Sequence, residues 1–96
     1  MKTIDQISQE WKAFEKIPFP EKLAGCDVND VCVTSLDSFA AGIISGFDGG
    51  LSHERRQILS SCLEDLDKIL PDLEREAKIY FQLLKDIGVA VMKYSK

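Results

Sequence analysis

The C-terminal half of the chain carries a single apolar stripe in which hydrophobic residues recur at intervals of three and four. This spacing returns to one face of a helix at every turn and therefore predicts helix. The stripe comprises Leu59, Leu63, Leu66, Leu70, Leu73, Ala77, Tyr80, Leu84, Ile87 and Val91. A chain of 96 residues has room for one domain, residues 1–96, and for no second core. We expect an all-α fold.

Pro71 interrupts this stripe. Proline removes a helical hydrogen bond and costs about 3 kcal/mol inside a helix, so the chain either kinks or breaks there. The segment from Pro71 to Glu74 also resembles a first helical turn, which favours a break. The stripe nevertheless keeps its phase through Pro71, and no glycine or asparagine supplies a loop. We therefore favour one long helix over about residues 53–94, kinked at Pro71, with two separate helices as the alternative.

A first helix is predicted over about residues 4–16. Thr3 is a good N-cap, and Gln6 follows three residues later, which is the spacing of a capping box. Pro18 and Pro20 end this helix because the residue before a proline is driven out of helical dihedrals.

A second helix is predicted over about residues 36–47, which have a broad apolar face. Gly42 and Gly46 within this segment indicate close approach of another backbone. Residues 17–34 form an ordered loop in which Asn29-Asp30 allows a small hairpin. The whole chain is then a small helical bundle of three helices, or of four if the C-terminal helix breaks.

The charge distribution argues against nucleic acid as a partner. The chain has 12 Lys and Arg residues against 16 Asp and Glu residues, which gives a formal net charge of −4. Proteins that bind nucleic acid usually concentrate Lys and Arg on one face, and no segment here is strongly basic. We therefore expect a protein partner or self-association, with a homodimer as one possibility.

Neither a membrane span nor a secretory signal is indicated. The most apolar stretch, residues 31–47, contains Asp37 and small polar residues and is too short to cross a bilayer. The N-terminal residues lack the apolar core of a signal peptide. The three cysteines, an odd number without a disulfide framework, fit free thiols in a reducing compartment. We expect no membrane association and a cytoplasmic location.

The residues that usually carry catalysis are sparse and poorly spaced. His53 is the single histidine, and the cysteines at positions 26, 32 and 62 form no Cys-x-x-Cys pair. Ser52 and His53 are neighbours in sequence, which does not bring their side chains into hydrogen-bonding geometry. No phosphate-binding or dinucleotide-binding glycine motif is present. We expect no catalytic residues, no metal site and no cofactor.

The start of the third helix carries an unusual concentration of basic side chains after a glycine turn. Arginine is unfavourable at a helix N-terminus, where the helix dipole is already positive, but this combination is typical of anion-binding sites. The candidate residues are Gly49, Gly50, Ser52, His53, Arg55 and Arg56. The simpler interpretation is that the arginines pair with nearby carboxylates, those of Asp37, Asp48 or Glu54.

An acidic region follows on the same helix and continues past Pro71. Carboxylates are dense here, and such a patch attracts a basic partner surface. The residues proposed to face a partner are Glu64, Asp65, Asp72 and Glu76. An ordinary solvated helix face is the simpler interpretation.

Together these features favour a non-enzymatic helical protein-interaction module, such as an adaptor, a regulator, or an immunity- or antitoxin-like protein. The alternative is a regulator that binds a small anionic ligand at the Gly49-Gly50 turn and the following helix N-terminus.

Overall fold

The computed structural model describes residues 2–95 and confirms the all-α class. Four helices make up most of this part of the chain: α1 (Ile4–Glu15), α2 (Val33–Ser45), α3 (His53–Ile69) and α4 (Arg75–Tyr94). Two short 3-10 turns, Glu21–Leu23 and Leu70–Asp72, and a two-stranded hairpin, β1 (Asp27–Val28) with β2 (Val31–Cys32), connect them.

The chain breaks at Pro71, so the four-helix alternative is confirmed and the single kinked helix over residues 53–94 is not formed. The α3 helix ends at Ile69, Pro71 lies inside a 3-10 turn, and the backbone is extended at Leu73. Leu70 and Leu73 are both buried in the core at this turn. The stripe keeps its phase because the turn presents both leucines to the core, not because the helix continues.

The turn at Pro71 folds α4 back along α3 as an antiparallel pair. Lys85 forms an ion pair with Asp67 near the turn, and Arg56 binds Ser95 at the far end. Between these contacts the two helices approach closely at Gly88, where an added Cβ would lie 2.9 Å from Cδ2 of Leu63. A side chain at this position would require the Leu63 side chain to move.

The α2 helix runs parallel to α4 and antiparallel to α3. Near its start, Asp37 accepts a hydrogen bond of 2.6 Å from the Tyr80 hydroxyl, and just beyond its end the Phe47 ring lies 5.8 Å from the Tyr94 ring. The start of α2 thus lies beside the start of α4, and the end of α2 lies beside the end of α4, so the two helices point in the same direction.

The α1 helix packs chiefly against α4 and runs antiparallel to it. Ile4 and Tyr94 meet at the turn between α2 and α3, on either side of Gly49, whose φ of 119° suits glycine. At the other end of α1, the Phe14 ring lies 4.7 Å from the Tyr80 ring. The four helices thus alternate in direction in a bundle of 33 × 26 × 19 Å.

The ends of α1 follow the expected signals. The amide of Gln6 donates to the Thr3 hydroxyl over 3.2 Å, and the Thr3 amide donates to the Gln6 side chain over 2.9 Å. The capping box is therefore confirmed. The helix ends at Glu15, one residue before the predicted limit.

The hairpin predicted at Asn29-Asp30 is present, with φ of 50° and 66° at these two residues, as a tight turn between twisted strands requires. This hairpin determines where α2 begins. The second strand leads directly into the helix at Val33, three residues earlier than predicted, and Val33 is fully buried. The helix ends at Ser45, two residues before the predicted limit.

All four helices contribute to one hydrophobic core, whose innermost side chains come from the second half of the chain and from the start of α2. These fully buried residues are Val33, Leu59, Leu66, Ile69, Phe81, Leu84 and Val91.

The left-handed backbone at Arg75 leads to a prediction about stability. Arg75 has φ of 53°, and this conformation costs an L-residue about 1 kcal/mol or more that glycine avoids. We expect Arg75→Gly to raise the free energy of unfolding by roughly 0.5–1 kcal/mol in urea denaturation. Lys78→Gly, an exposed site farther along α4, should lower it by about 1 kcal/mol. A loss of stability from both substitutions would contradict the left-handed backbone at position 75.

Candidate functional site

The predicted anion-binding residues lie together where the α2–α3 connection enters the first turn of α3. Ser52 is the N-cap, and its hydroxyl accepts a hydrogen bond of 3.2 Å from the amide of Arg55. Gly50 and His53 are exposed. The hydroxyl that was a candidate for binding an anion is therefore already used in capping the helix.

The two arginines reach the C-terminal ends of neighbouring helices. Arg56 is half-buried and donates to the carbonyl oxygen of Ser95 and, over 3.1 Å, to its hydroxyl. Arg55 lies over Gly46, the C-cap of α2, where an added Cβ would be 3.1 Å from its Nη1. Helix C-termini carry partial negative charge. The favourable interaction of each arginine with such an end offsets its unfavourable interaction with the N-terminus of α3.

Pairing of these arginines with Asp37, Asp48 or Glu54 is not found among residues 2–95, where the ion pairs are Lys2–Glu10, Lys68–Asp65 and Lys85–Asp67. Gly46 is approached by a side chain and not by a backbone, and Gly42 faces open space. The close backbone approach predicted from these two glycines is therefore wrong. Anion binding at Gly49, Gly50, Ser52, His53, Arg55 and Arg56 stays a prediction.

Two members of the predicted acidic patch have intramolecular partners. Asp65 lies 3.7 Å from Lys68, and Asp72 accepts a hydrogen bond from the side chain of Asn29. The same Asn29 amide donates to the carbonyl oxygen of Lys68 over 2.8 Å. Asp72 thus helps to fasten the hairpin to the α3–α4 turn, while Glu64 and Glu76 are exposed.

A hydrogen bond between the buried Tyr80 and the half-buried Asp37 was not predicted from the sequence. The Tyr80 hydroxyl donates to Asp37, and the rings of Phe14 and Phe19 pack on Tyr80. Burial raises the pKa of Asp37, partly offset by the hydrogen bond from Tyr80. Burial and the neighbouring carboxylate raise the pKa of Tyr80 above its usual value of 10.0. This pair joins α2 to α4 inside an aromatic cluster.

The three thiols are in different surroundings. Cys26 and Cys32 are exposed, and Cys62 is buried. Cys32 is the N-cap of α2, and the nearby side chain and amide of Ser35, which favour the thiolate, lower its pKa. Burial raises the pKa of Cys62. Within the part of the chain that the structure describes, no three metal-binding side chains cluster, and no helix has the length and apolar character to cross a membrane.

A groove of about 710 Å³ lies between α1 and α4. We call it the α1–α4 groove. Its apolar lining includes Ala13, Phe14, Ile17, Leu83, Ile87 and Ala90. Its charged rim consists of Lys2, Glu10, Asp86 and Lys93. Lys2 and Glu10 pair with each other at 2.7 Å, and Asp86 accepts a hydrogen bond from Gln82.

A smaller depression of about 360 Å³ lies between α2 and α3. Phe39 and Ile58 line it and leave large apolar area in contact with solvent, and Ser52 and Arg55 lie at its edge. Part of the predicted anion site therefore borders an apolar surface, which the sequence pattern did not indicate.

The raised pKa of Asp37 predicts how stability depends on pH. The folded state binds the proton of Asp37 more tightly than the unfolded state, so stability is lost as pH rises through the folded-state pKa. We expect Asp37→Asn, which keeps an acceptor for Tyr80, to raise the melting temperature near neutral pH. The advantage should disappear below the ordinary carboxyl pKa of 3.8. A variant less stable than the parent at neutral pH would contradict this account.

The surroundings of the thiols predict an order of reactivity, because the thiolate is the reactive form. Cys32 should be alkylated by iodoacetamide faster than Cys62, and its rate should rise at a pH below the ordinary thiol value of 9.0. Mass spectrometry of the labelled peptides measures both rates. Ser35→Ala should shift the Cys32 profile to higher pH and leave Cys62 unchanged; an unchanged Cys32 profile would rule out this role for Ser35.

Comparisons of the chain with protein-family models, with curated proteins and with solved structures found no match. The basis for a functional proposal is therefore the surface of the molecule itself: the α1–α4 groove, the depression between α2 and α3, and the basic first turn of α3.

Proposed function

We propose that this chain is a non-enzymatic helical protein-interaction module that binds a partner helix in the α1–α4 groove. The observation that carries the proposal is a second apolar face on α4, outside the core. Ile79 is 62% exposed and Leu83, one turn later, is 37% exposed. Ile17, two residues beyond the end of α1, is also exposed and lines the groove together with Leu83, whereas Ile79 lies outside the lining and extends the exposed apolar face along α4. A partner helix binds to such a groove through residues spaced at three and four positions.

The composition of the groove favours a helix over a small polar ligand. Sites for small molecules combine an apolar wall with a few polar groups that point inwards to fix orientation. Here the charged groups lie at the rim, where Lys2 pairs with Glu10 and Asp86 is held by Gln82. Among residues 2–95, no buried side-chain nitrogen or oxygen lacks a hydrogen-bond partner. A long apolar surface with a charged border matches one side of an amphipathic helix.

Burial of the exposed side chains provides the driving force. Apolar surface removed from water contributes about 25 cal/mol per Å², and isoleucine and leucine one helical turn apart are effective anchors for a partner helix. Ile79 and Leu83 have this spacing on α4. The module would act as an adaptor or regulator, including the immunity- and antitoxin-like roles, and its free thiols suit a cytoplasmic setting.

The alternative, a regulator that binds a small anionic ligand at the start of α3, has weaker support. Ser52 already caps the helix, and Arg56 is bound to the end of α4. An anion would have to displace both contacts or bind to Arg55 and His53 alone.

The proposal can be tested by affinity capture with the tagged chain, with retained proteins identified and quantified by mass spectrometry. We expect at least one protein to be retained by the parent chain and lost with Ile79→Lys combined with Leu83→Lys. Both sites are exposed, and lysine is at least as good a helix former as isoleucine, so the fold should persist.

Phe39→Lys provides the matched control, because Phe39 is 61% exposed and lies in the other depression. It should leave retention unchanged. Equal retention by the parent and the α4 variant would overturn binding in the α1–α4 groove, and loss with Phe39→Lys alone would assign binding to the surface between α2 and α3.

A further inference from the structure

We propose that the α1–α4 groove binds a second copy of this chain, with the two α4 helices antiparallel about a two-fold axis near Val89 and Ala90. This inference rests on the proposed function for the groove itself, because it names a helix that enters the groove. At this register the partner's α4 faces residues 85–94, and Ile79 and Leu83 lie beyond that contact. A two-fold interface uses the same patch on both subunits, so the patch must complement itself. The charges and the side-chain sizes of the groove both meet this requirement.

The charges on α4 are arranged for such a pairing. Asp86 and Lys93 both line the groove. They are seven residues apart, two helical turns or about 10.5 Å along the axis, and therefore lie on one face. An axis midway between them places Asp86 of each copy opposite the partner's Lys93. Two equivalent ion pairs then form, one on each side of the axis, and they determine both direction and register.

The groove is also where two acidic molecules meet with least repulsion. The chain carries a formal net charge of −4. The groove rim, in contrast, has two lysines, Lys2 and Lys93, and two acids, Glu10 and Asp86, and is neutral overall. Like charges facing each other across an interface are costly. A neutral rim with alternating signs is therefore the surface on which self-association is favoured electrostatically.

Small side chains allow the helices to come close. Ala90 lies between Asp86 and Lys93 on α4, and Ala13 lies across the groove on α1. Helices pack with axes about 8–10 Å apart, at a distance determined by the side chains at the contact. Stable complexes typically bury roughly 800 Å² per partner, which takes about 20–30 residues on each side. The α4 helix has 20 residues, and only part of it lines the groove. The dimer should therefore form in a concentration-dependent manner.

The test is light scattering after size exclusion, from micromolar to millimolar concentration. The mass of the parent chain should rise from 10.8 kDa towards twice that value. Asp86→Lys alone and Lys93→Glu alone should each weaken dimerisation by about tenfold or more, because each turns two attractions into two repulsions. An equimolar mixture of the two variants should recover the dimer, since the introduced lysine then faces the introduced glutamate and the native Asp86 faces the native Lys93.

Asp48→Lys and Lys78→Glu make the same changes of charge at exposed sites outside the groove and should leave the dimer unaffected. Circular dichroism verifies that all variants keep their helices. A parent chain that stays at 10.8 kDa throughout, or a dimer indifferent to both groove substitutions, would overturn the two-fold pairing. If the parent chain is monomeric but substitution of Ile79 and Leu83 still abolishes protein capture, only the two-fold pairing is overturned. The proposed function is then retained.

Discussion

The close contact of α3 with α4 at Gly88 is the constraint on which the bundle depends. Leu63 occupies the space that a side chain at Gly88 would fill, so this leucine of α3 packs directly on the backbone of α4. The other two helices then pack on α4: α2 through the Asp37–Tyr80 hydrogen bond and α1 through Phe14. Because α4 is buried on the sides that face its three neighbours, its remaining face is the one that borders the groove.

Signals that act over a few residues predicted the structure well. The cap at Thr3 and the turn at Asn29 involve partners within three positions, and both formed as expected. The break near Pro71 could not be decided in the same way. Leu70 and Leu73 keep the same spacing in a kinked helix and in a turn that buries both, so periodicity does not distinguish the two. Only contacts between α3 and α4 decide between them.

The candidate sites were harder to predict because their side chains are partnered across long stretches of sequence. Arg56 binds Ser95, 39 positions away, and Asp37 binds Tyr80, 43 positions away. The sequence correctly drew attention to the basic first turn of α3, since arginine is unfavourable at a helix N-terminus. It could not indicate that the C-terminal ends of two neighbouring helices lie within reach. Likewise, the apolar stripe on α4 predicted the buried face of this helix. The exposed apolar face with Ile79 was identified only from the packing of the helices in the structure.

The dependence of α1 on α4 has a consequence for the order of folding during synthesis. The α1 helix leaves the ribosome before α4, its main packing partner, has been made. Until then α1 is an amphipathic segment with Ile7 and Phe14 uncovered, short enough to be only marginally helical on its own. Contacts between distant segments form late because the intervening chain must first be ordered. The α1 helix therefore gains its main packing contact only after α4 is present.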